Sequence, residues 1–213
     1  MKTALTIALL LYDGFTALDV AGPYEVFSKI PNAKVHFVAE KKGLYADTKG
    51  MQVMADTSLD ELPFPDMLIV PGGFGVDALL TNEAVLDWVR HAHERSIWTV
   101  SVCSGALLLG AAGILNDKKA TTHWNRKGQL AAYCPHILEE RYVLDGKVMT
   151  SAGVSAGIDM ALYLLSLITN ETYAKVVQLG MEYDPQPPFD SGSLAKASEV
   201  VINRAAEYSL ARQ

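Results

Sequence analysis

Hydrophobic and polar positions alternate along this chain on two length scales, and each scale predicts one kind of element. Residues 3–12 are an unbroken apolar run of strand length, as expected of a strand covered on both faces in a parallel sheet, and Asp13-Gly14 ends it. Residues 35–39 repeat the pattern, residues 66–73 repeat it and close on Pro71-Gly72-Gly73, and residues 98–102 repeat it before Cys103-Ser104-Gly105. Between these runs the spacing turns helical. Residues 18–29 carry apolar Leu18, Ala21, Val26 and Phe27, and Pro23 stands where a first-turn proline would, so this helix is predicted to start between Asp19 and Gly22. Residues 82–95 are amphipathic through Val85, Trp88, Val89 and Ala92, and further helices are predicted over 158–168, 171–183 and 194–211. Residues 44–55 read as a small hairpin or edge strands, and 118–124 as a short strand running into a helix over 124–132. A hairpin is predicted over 141–150, with Asp145-Gly146 in its two-residue turn. Residues 151–157 form a small-residue bend and 184–190 an extended segment. Strands alternating with helices predict a doubly wound, flavodoxin-like α/β sandwich with a mostly parallel central sheet and helices on both faces. With no repeat and no linker, one domain over 1–213 is expected.

Composition narrows the function more than the fold. Of the 213 residues half are hydrophobic and a fifth charged, which suits one compact domain with a sizeable core. A net charge of −6 and a pI near 5.3 give no basic footprint for nucleic acid or an anionic membrane, so a small substrate that is not strongly anionic is expected. The apolar start lacks a small-residue cleavage region before Asp13-Gly14 and is not expected to be a signal peptide; no run approaches a membrane span. Two cysteines, Cys103 and Cys134, make no disulfide framework, so a reducing cytoplasm is the expected location.

The chemistry is expected to centre on Cys103. A buried strand delivers it into a sharp turn before a helix whose first amides favour negative charge, so its thiol is expected to ionise more readily than a free one; the alternative is an inert, buried strand-end thiol. Asp19 falls just past the first strand's carboxyl end, either as a functional acid or as a helix-capping one. Gly72 and Gly73 end another strand and suit either an oxyanion-type pocket of backbone amides or a turn needing positive φ. In an open α/β sheet ligands bind beyond the carboxyl ends of the strands, where Asp19, Gly72, Gly73 and Cys103 converge, and this favours the catalytic reading of Cys103. Glu25 is either a second carboxylate facing the site or a solvated residue. His123 is either a base for the thiol or a structural residue at a strand–helix junction. Tyr24, Phe74 and Trp124 are candidates to wall an apolar pocket, or ordinary core. His36, His91, His93 and His136 show no ligand spacing, so no metal is expected.

Several stretches together resemble a known family. They are L-D-V-A-G-P at 18–23, I-V-P-G-G at 69–73, S-V-C-S-G-A-L-L-L-G-A-A-G-I-L at 101–115, A-T-T-H-W at 120–124, G-V-S-A-G-I-D at 153–159 and Q-L-G-M-E-Y-D-P-Q-P-P-F at 178–189. The chain resembles the ThiJ/PfpI superfamily, related in fold to class I glutamine amidotransferases, and within it most closely the isocyanide hydratases. The resemblance implies Cys103 as nucleophile, Asp19 as its acidic partner, Ser104 where these hydratases usually carry threonine, and Glu25 at the superfamily's acidic position on the first helix. The peptidase-like branch has histidine directly after the cysteine and amidotransferases a late His-x-Glu pair, and neither is present. The activity so implied is hydration of an isocyanide to an N-substituted formamide through a cysteine thioimidate, with no cofactor, a small neutral organic substrate and a homodimeric state. Backbone amides of Gly72, Gly73 and Ser104 are expected to hold substrate or developing charge. The alternatives are a small-molecule or oxidation sensor without turnover, against which stands the lack of a helix-turn-helix segment, or another cysteine-dependent activity of the superfamily.

Overall fold

A computed structural model describes residues 4–210; Thr3 and Ala211, the outer ends of the first predicted strand and the last predicted helix, lie outside the described residues. In chain order the first elements are β1 (Leu5–Leu10), α1 (Ala17–Phe27), β2 (Ala33–Ala39), the hairpin β3 (Gly43–Ala46) and β4 (Gln52–Ala55), and the short β5 (Thr57–Ser58). Next come β6 (Met67–Val70), α2 (Val76–Leu79), α3 (Glu83–Arg95), β7 (Trp98–Val102), α4 (Gly105–Ala111), β8 (Lys119–Ala120) and α5 (Lys127–Leu130). The chain closes with β9 (His136–Ile137), β10 (Tyr142–Asp145), β11 (Val148–Ser151), α6 (Ala156–Ile168), α7 (Glu171–Gly180) and α8 (Glu199–Leu210).

Seven strands form the central sheet in the order β10-β11-β7-β6-β1-β2-β5, parallel throughout except for the β10–β11 hairpin at one edge. Successive side chains of a strand point to opposite faces, so the consecutive burial of Ile7 to Leu10 in β1 and of all four residues of β6 requires cover on both. Helices supply it, α1 packing against α6 and α3 against α4. From β1 the chain moves outward to β2, whereas from β6 it moves the other way through β7 to β11. The strand order therefore reverses between β1 and β6, and the crevice at their carboxyl ends is the topological switch point.

The chain divides into two compact units, Met1–Val177 and Gln178–Gln213. The first holds the whole sheet. The second carries the end of α7, a segment without regular structure in which Lys196 pairs with Asp190 at 2.7 Å, and α8. The tail helix begins at Glu199, later than its apolar pattern predicts.

Two local predictions need correction. Helix α1 starts at Ala17 behind Thr16, so Pro23 sits inside it and not in its first turn. There it removes the amide that an unbroken ladder would offer to the Asp19 carbonyl four residues earlier. In the β10–β11 hairpin Asp145 pairs with Val148, so the two-residue loop is Gly146-Lys147, with glycine at the position of positive φ, +63°.

Candidate active site

Three strand ends build the site. β7 delivers Cys103 into a backbone conformation with φ +56°, a left-handed geometry that few residues other than glycine adopt, and α4 begins immediately behind Ser104. The turn closes this tightly because residue 105 is glycine: a Cβ there would lie 2.2 Å from the Val70 carbonyl oxygen at the end of β6. The Cys103 amide donates to the Ser151 and Ala152 carbonyls at 3.1 and 3.0 Å, which ties the turn to the end of β11. From β1, residues 13–16 lead into α1 and carry Asp19 inward, where it is fully buried. The Thr16 amide donates to the Gly72 carbonyl at 2.8 Å, fastening this entry to the end of β6.

These elements bring the Asp19 and Cys103 side chains together, close enough that each shifts the other's hold on its proton. Asp19 Oδ2 accepts the Gly72 amide at 2.9 Å, whereas Oδ1 is buried with no well-formed hydrogen bond of its own among the described residues. An acceptor left in that state favours the protonated carboxyl. Burial accordingly pushes the Asp19 pKa up to about 7, against the smaller opposing pull of the Gly72 amide and the Cys103 thiol. Cys103 is 6 % exposed, and burial drives its pKa far upward. The Asp19 charge adds to that rise, while the Ser104 and Val154 amides aimed at the sulfur only partly offset it. The expectation of a readily ionised thiol is thus corrected: in a site this dry, desolvation and a neighbouring carboxylate outweigh the amides at the turn. Near neutral pH the pair holds one or two protons, and the thiolate forms when the carboxyl takes the proton.

The remaining candidates divide. The Gly72 and Gly73 amides do not point into an open oxyanion pocket: Gly72 donates to Asp19, and Gly73 donates to Ser104 Oγ at 2.9 Å. Both hold side chains of the site in place. Ser104 returns its hydroxyl to the Gly73 carbonyl at 3.2 Å, so its contribution to the sulfur is its backbone amide. Glu25 is a solvated residue: its side chain is 50 % exposed and pairs with Lys29 at 3.0 Å. Six residues after Asp19 on a helix of 3.6 residues per turn, it faces away from the acid that enters the site. His123 is half-buried, and its Nδ1 accepts the Asn125 backbone amide at 3.4 Å, capping the one-turn helix Trp124–Arg126. Burial lowers its pKa, so the ring is neutral at pH 7, and among the described residues no hydrogen bond links it to Cys103 or Asp19. Its ring lies beside Gly153, next to the Val154 amide. Tyr24 is exposed and rests on Phe37 with ring centroids 5.3 Å apart.

Three neighbours of the site carry no side-chain signal in the sequence. Val154 contributes a backbone amide, which any residue type could supply. Thr122, fully buried, donates its hydroxyl to the Cys103 carbonyl at 2.7 Å. Tyr12, also buried, donates to the Pro71 carbonyl at 2.8 Å and feels the charges of Asp19, Cys103 and the ion pair between buried Arg126 and exposed Asp77. No three His, Cys, Asp or Glu side chains among the described residues converge as a metal site, and no helix among them is long and apolar enough to cross a membrane.

Comparison with known proteins agrees with this architecture. The chain is 39 % identical over 202 residues to an isonitrile hydratase of Pseudomonas putida, covering 95 % of this chain and 89 % of that protein. It is 26 % identical over 176 residues to a glutathione-independent glyoxalase DJ-1 of Schizosaccharomyces pombe, covering 78 % and 92 % respectively. The crystal structure of a ThiJ/PfpI family protein from Pseudomonas syringae matches with a TM-score of 0.93 at 34 % identity, over 96 % of this chain and 86 % of that one. The sequence model of the DJ-1/PfpI family matches residues 5–167, a span that runs from β1 to the end of α6 and takes in both Asp19 and Cys103. The chain belongs to the DJ-1/PfpI family.

Proposed function

We propose that this protein hydrates isocyanides to N-substituted formamides, with Cys103 as nucleophile and Asp19 as the group that moves the protons. The observation that carries the reading is the buried thiol–carboxyl pair, in which Asp19 is poised at about pH 7 to take and return a proton. The identity to the Pseudomonas putida isonitrile hydratase supports the substrate class.

An isocyanide, R–NC, offers an electrophilic terminal carbon and no leaving group. Asp19 carboxylate takes the Cys103 proton, and the sulfur electron pair forms the S–C bond. The terminal carbon, now carrying the displaced pair, takes the proton back from the Asp19 carboxyl and becomes C–H. The product is the thioimidate R–N=CH–S–Cys103, with the carboxylate restored. Asp19 then accepts a proton from water as its oxygen bonds to the same carbon, and passes that proton to nitrogen. When the C–S bond breaks, its electron pair returns to sulfur, the water's second proton follows, and R–NH–CHO leaves. Ser104 and Val154 amides hold the sulfur whenever it carries negative charge. A neutral substrate matches the dry site, since no ion has to be desolvated to enter it.

Incubation with cyclohexyl isocyanide and detection of N-cyclohexylformamide tests the reading. Turnover by the wild type that is abolished in Cys103→Ala supports it. A Cys103→Ala variant at the wild-type rate, or no formamide from a panel of alkyl and aryl isocyanides, refutes it.

A further inference from the structure

Both polar groups of the Cys103 backbone are held from outside its own turn. Its amide is shared between the Ser151 and Ala152 carbonyls, and its carbonyl accepts the Thr122 hydroxyl at 2.7 Å. The α4 ladder cannot serve that carbonyl, because it opens one residue later, with the Leu107 amide on the Ser104 carbonyl. Thr122 is itself fixed through its neighbour: the Thr121 amide donates to Thr150 Oγ1 at 2.9 Å, and the Thr121 hydroxyl donates to the Glu140 carbonyl at 3.1 Å. Thr121, Thr122 and Thr150 are all fully buried, so water does not compete for the Thr122–Cys103 or the Thr121–Thr150 bond.

A non-glycine residue at φ +56° is strained, and such a conformation persists only where its surroundings over-determine it. We infer that Thr122 is a positioning residue for the nucleophile: its hydroxyl pins the Cys103 carbonyl, holds the turn in its left-handed form, and so keeps the sulfur on the Ser104 and Val154 amides. The inference rests on the reading of Cys103 as the nucleophile and deepens it. Without the hydroxyl the buried carbonyl has no donor, the strain is free to relax, and the sulfur leaves its amides.

Thr122→Val removes the hydroxyl at nearly constant shape, and Thr122→Ser keeps it. Two readouts apply to each: kcat and KM for cyclohexyl isocyanide, and the rate of Cys103 carbamidomethylation by iodoacetamide, resolved by peptide mass mapping across about pH 6 to 10. Thr122→Val is expected to lose about a hundredfold in kcat with KM within about twofold, and to shift the alkylation profile, whereas Thr122→Ser recovers to within about threefold in rate. A wild-type kcat and alkylation profile in Thr122→Val overturns the inference, as does equal loss in Val and Ser variants, which marks packing as the cause. Should Thr122→Val not fold, Thr122→Ala against Thr122→Ser isolates the hydroxyl instead, and equal behaviour of those two overturns it. If the wild type turns over no isocyanide, the proposed function fails while the alkylation comparison still decides the role of Thr122.

Discussion

Asp19 and Cys103 meet side chain to side chain, Asp19 fully buried and Cys103 nearly so. Each raises the cost of charging the other, because two negative charges at contact in a dry site repel strongly. The pair therefore behaves as one titrating unit, in which a thiolate exists only while the carboxyl holds the proton. That coupling suits addition of S–H across a single carbon, where the proton removed from sulfur is the one needed on carbon.

The coupling sets the pH dependence of activity. The competent form holds one proton between the two groups, and below the Asp19 pKa of about 7 a second proton blocks transfer from the thiol. With the Cys103 pKa driven far upward, the remaining proton is not lost until strongly alkaline pH. kcat/KM for isocyanide hydration is expected to rise through pH 7 as a single ionisation and then stay level into the alkaline range, as a pH–rate profile will show. A profile that falls through pH 7 contradicts the assignment.

Replacing the acid separates chemistry from stability. Asp19→Asn keeps an oxygen for the Gly72 amide and removes the proton carrier, so kcat is expected to fall by about 10² to 10⁴. Stability moves the other way. The folded pKa of Asp19 lies above its ordinary 3.8, so the folded state holds the proton more tightly than the unfolded chain, and stability is lost as pH rises from about 4 to 7. The penalty present above pH 7 is on the order of 4 kcal/mol at most. Asp19→Asn is therefore expected to exceed the wild type in denaturant midpoint at pH 8, by a margin that shrinks as pH falls toward 4. An unchanged difference across that range contradicts the buried, raised carboxyl.

Gly72 is where the two halves of the site touch through backbone. A Cβ at this position would lie 2.5 Å from the Ser104 nitrogen, 2.7 Å from Ser104 Oγ and 2.9 Å from Asp19 Oδ2. Gly72→Ala must push apart the turn carrying the nucleophile and the acid beside it. A loss of about 1–3 kcal/mol in unfolding free energy, together with loss of formamide production, is expected from denaturation and activity assays. Full activity in Gly72→Ala contradicts the contact described.

Glu25 supplies the opposite case. Its exposed pair with Lys29 spans one helical turn, a contact worth about 0.3–0.5 kcal/mol, and it points away from Cys103. Glu25→Gln is expected to leave kcat and KM within about twofold and stability within about 0.5 kcal/mol. A large loss of kcat would place this acid at the site after all.

Runs at 3–12, 66–73 and 98–102 that carry no charged residue within the strand determined the buried parallel strands from sequence alone, because a strand covered on both faces is dominated by apolar and β-branched residues. Glycine, proline and aspartate at their ends mark where chain and ligand could meet, so Asp19, Gly72 and Cys103 are legible in the sequence as one cluster. What the hydrogen bonds of that cluster do was not legible. The sequence cannot say that the Gly72 and Gly73 amides are consumed by Asp19 and Ser104, since a backbone donor looks the same whichever acceptor it finds. Nor can it point to the Val154 amide or the Thr122 hydroxyl, which reach Cys103 only because β8 and the end of β11 come together beside β7. The thiol's pKa is the clearest instance. Residue types around the turn favour ionisation, but burial opposes it, and burial depends on packing brought in by the whole fold.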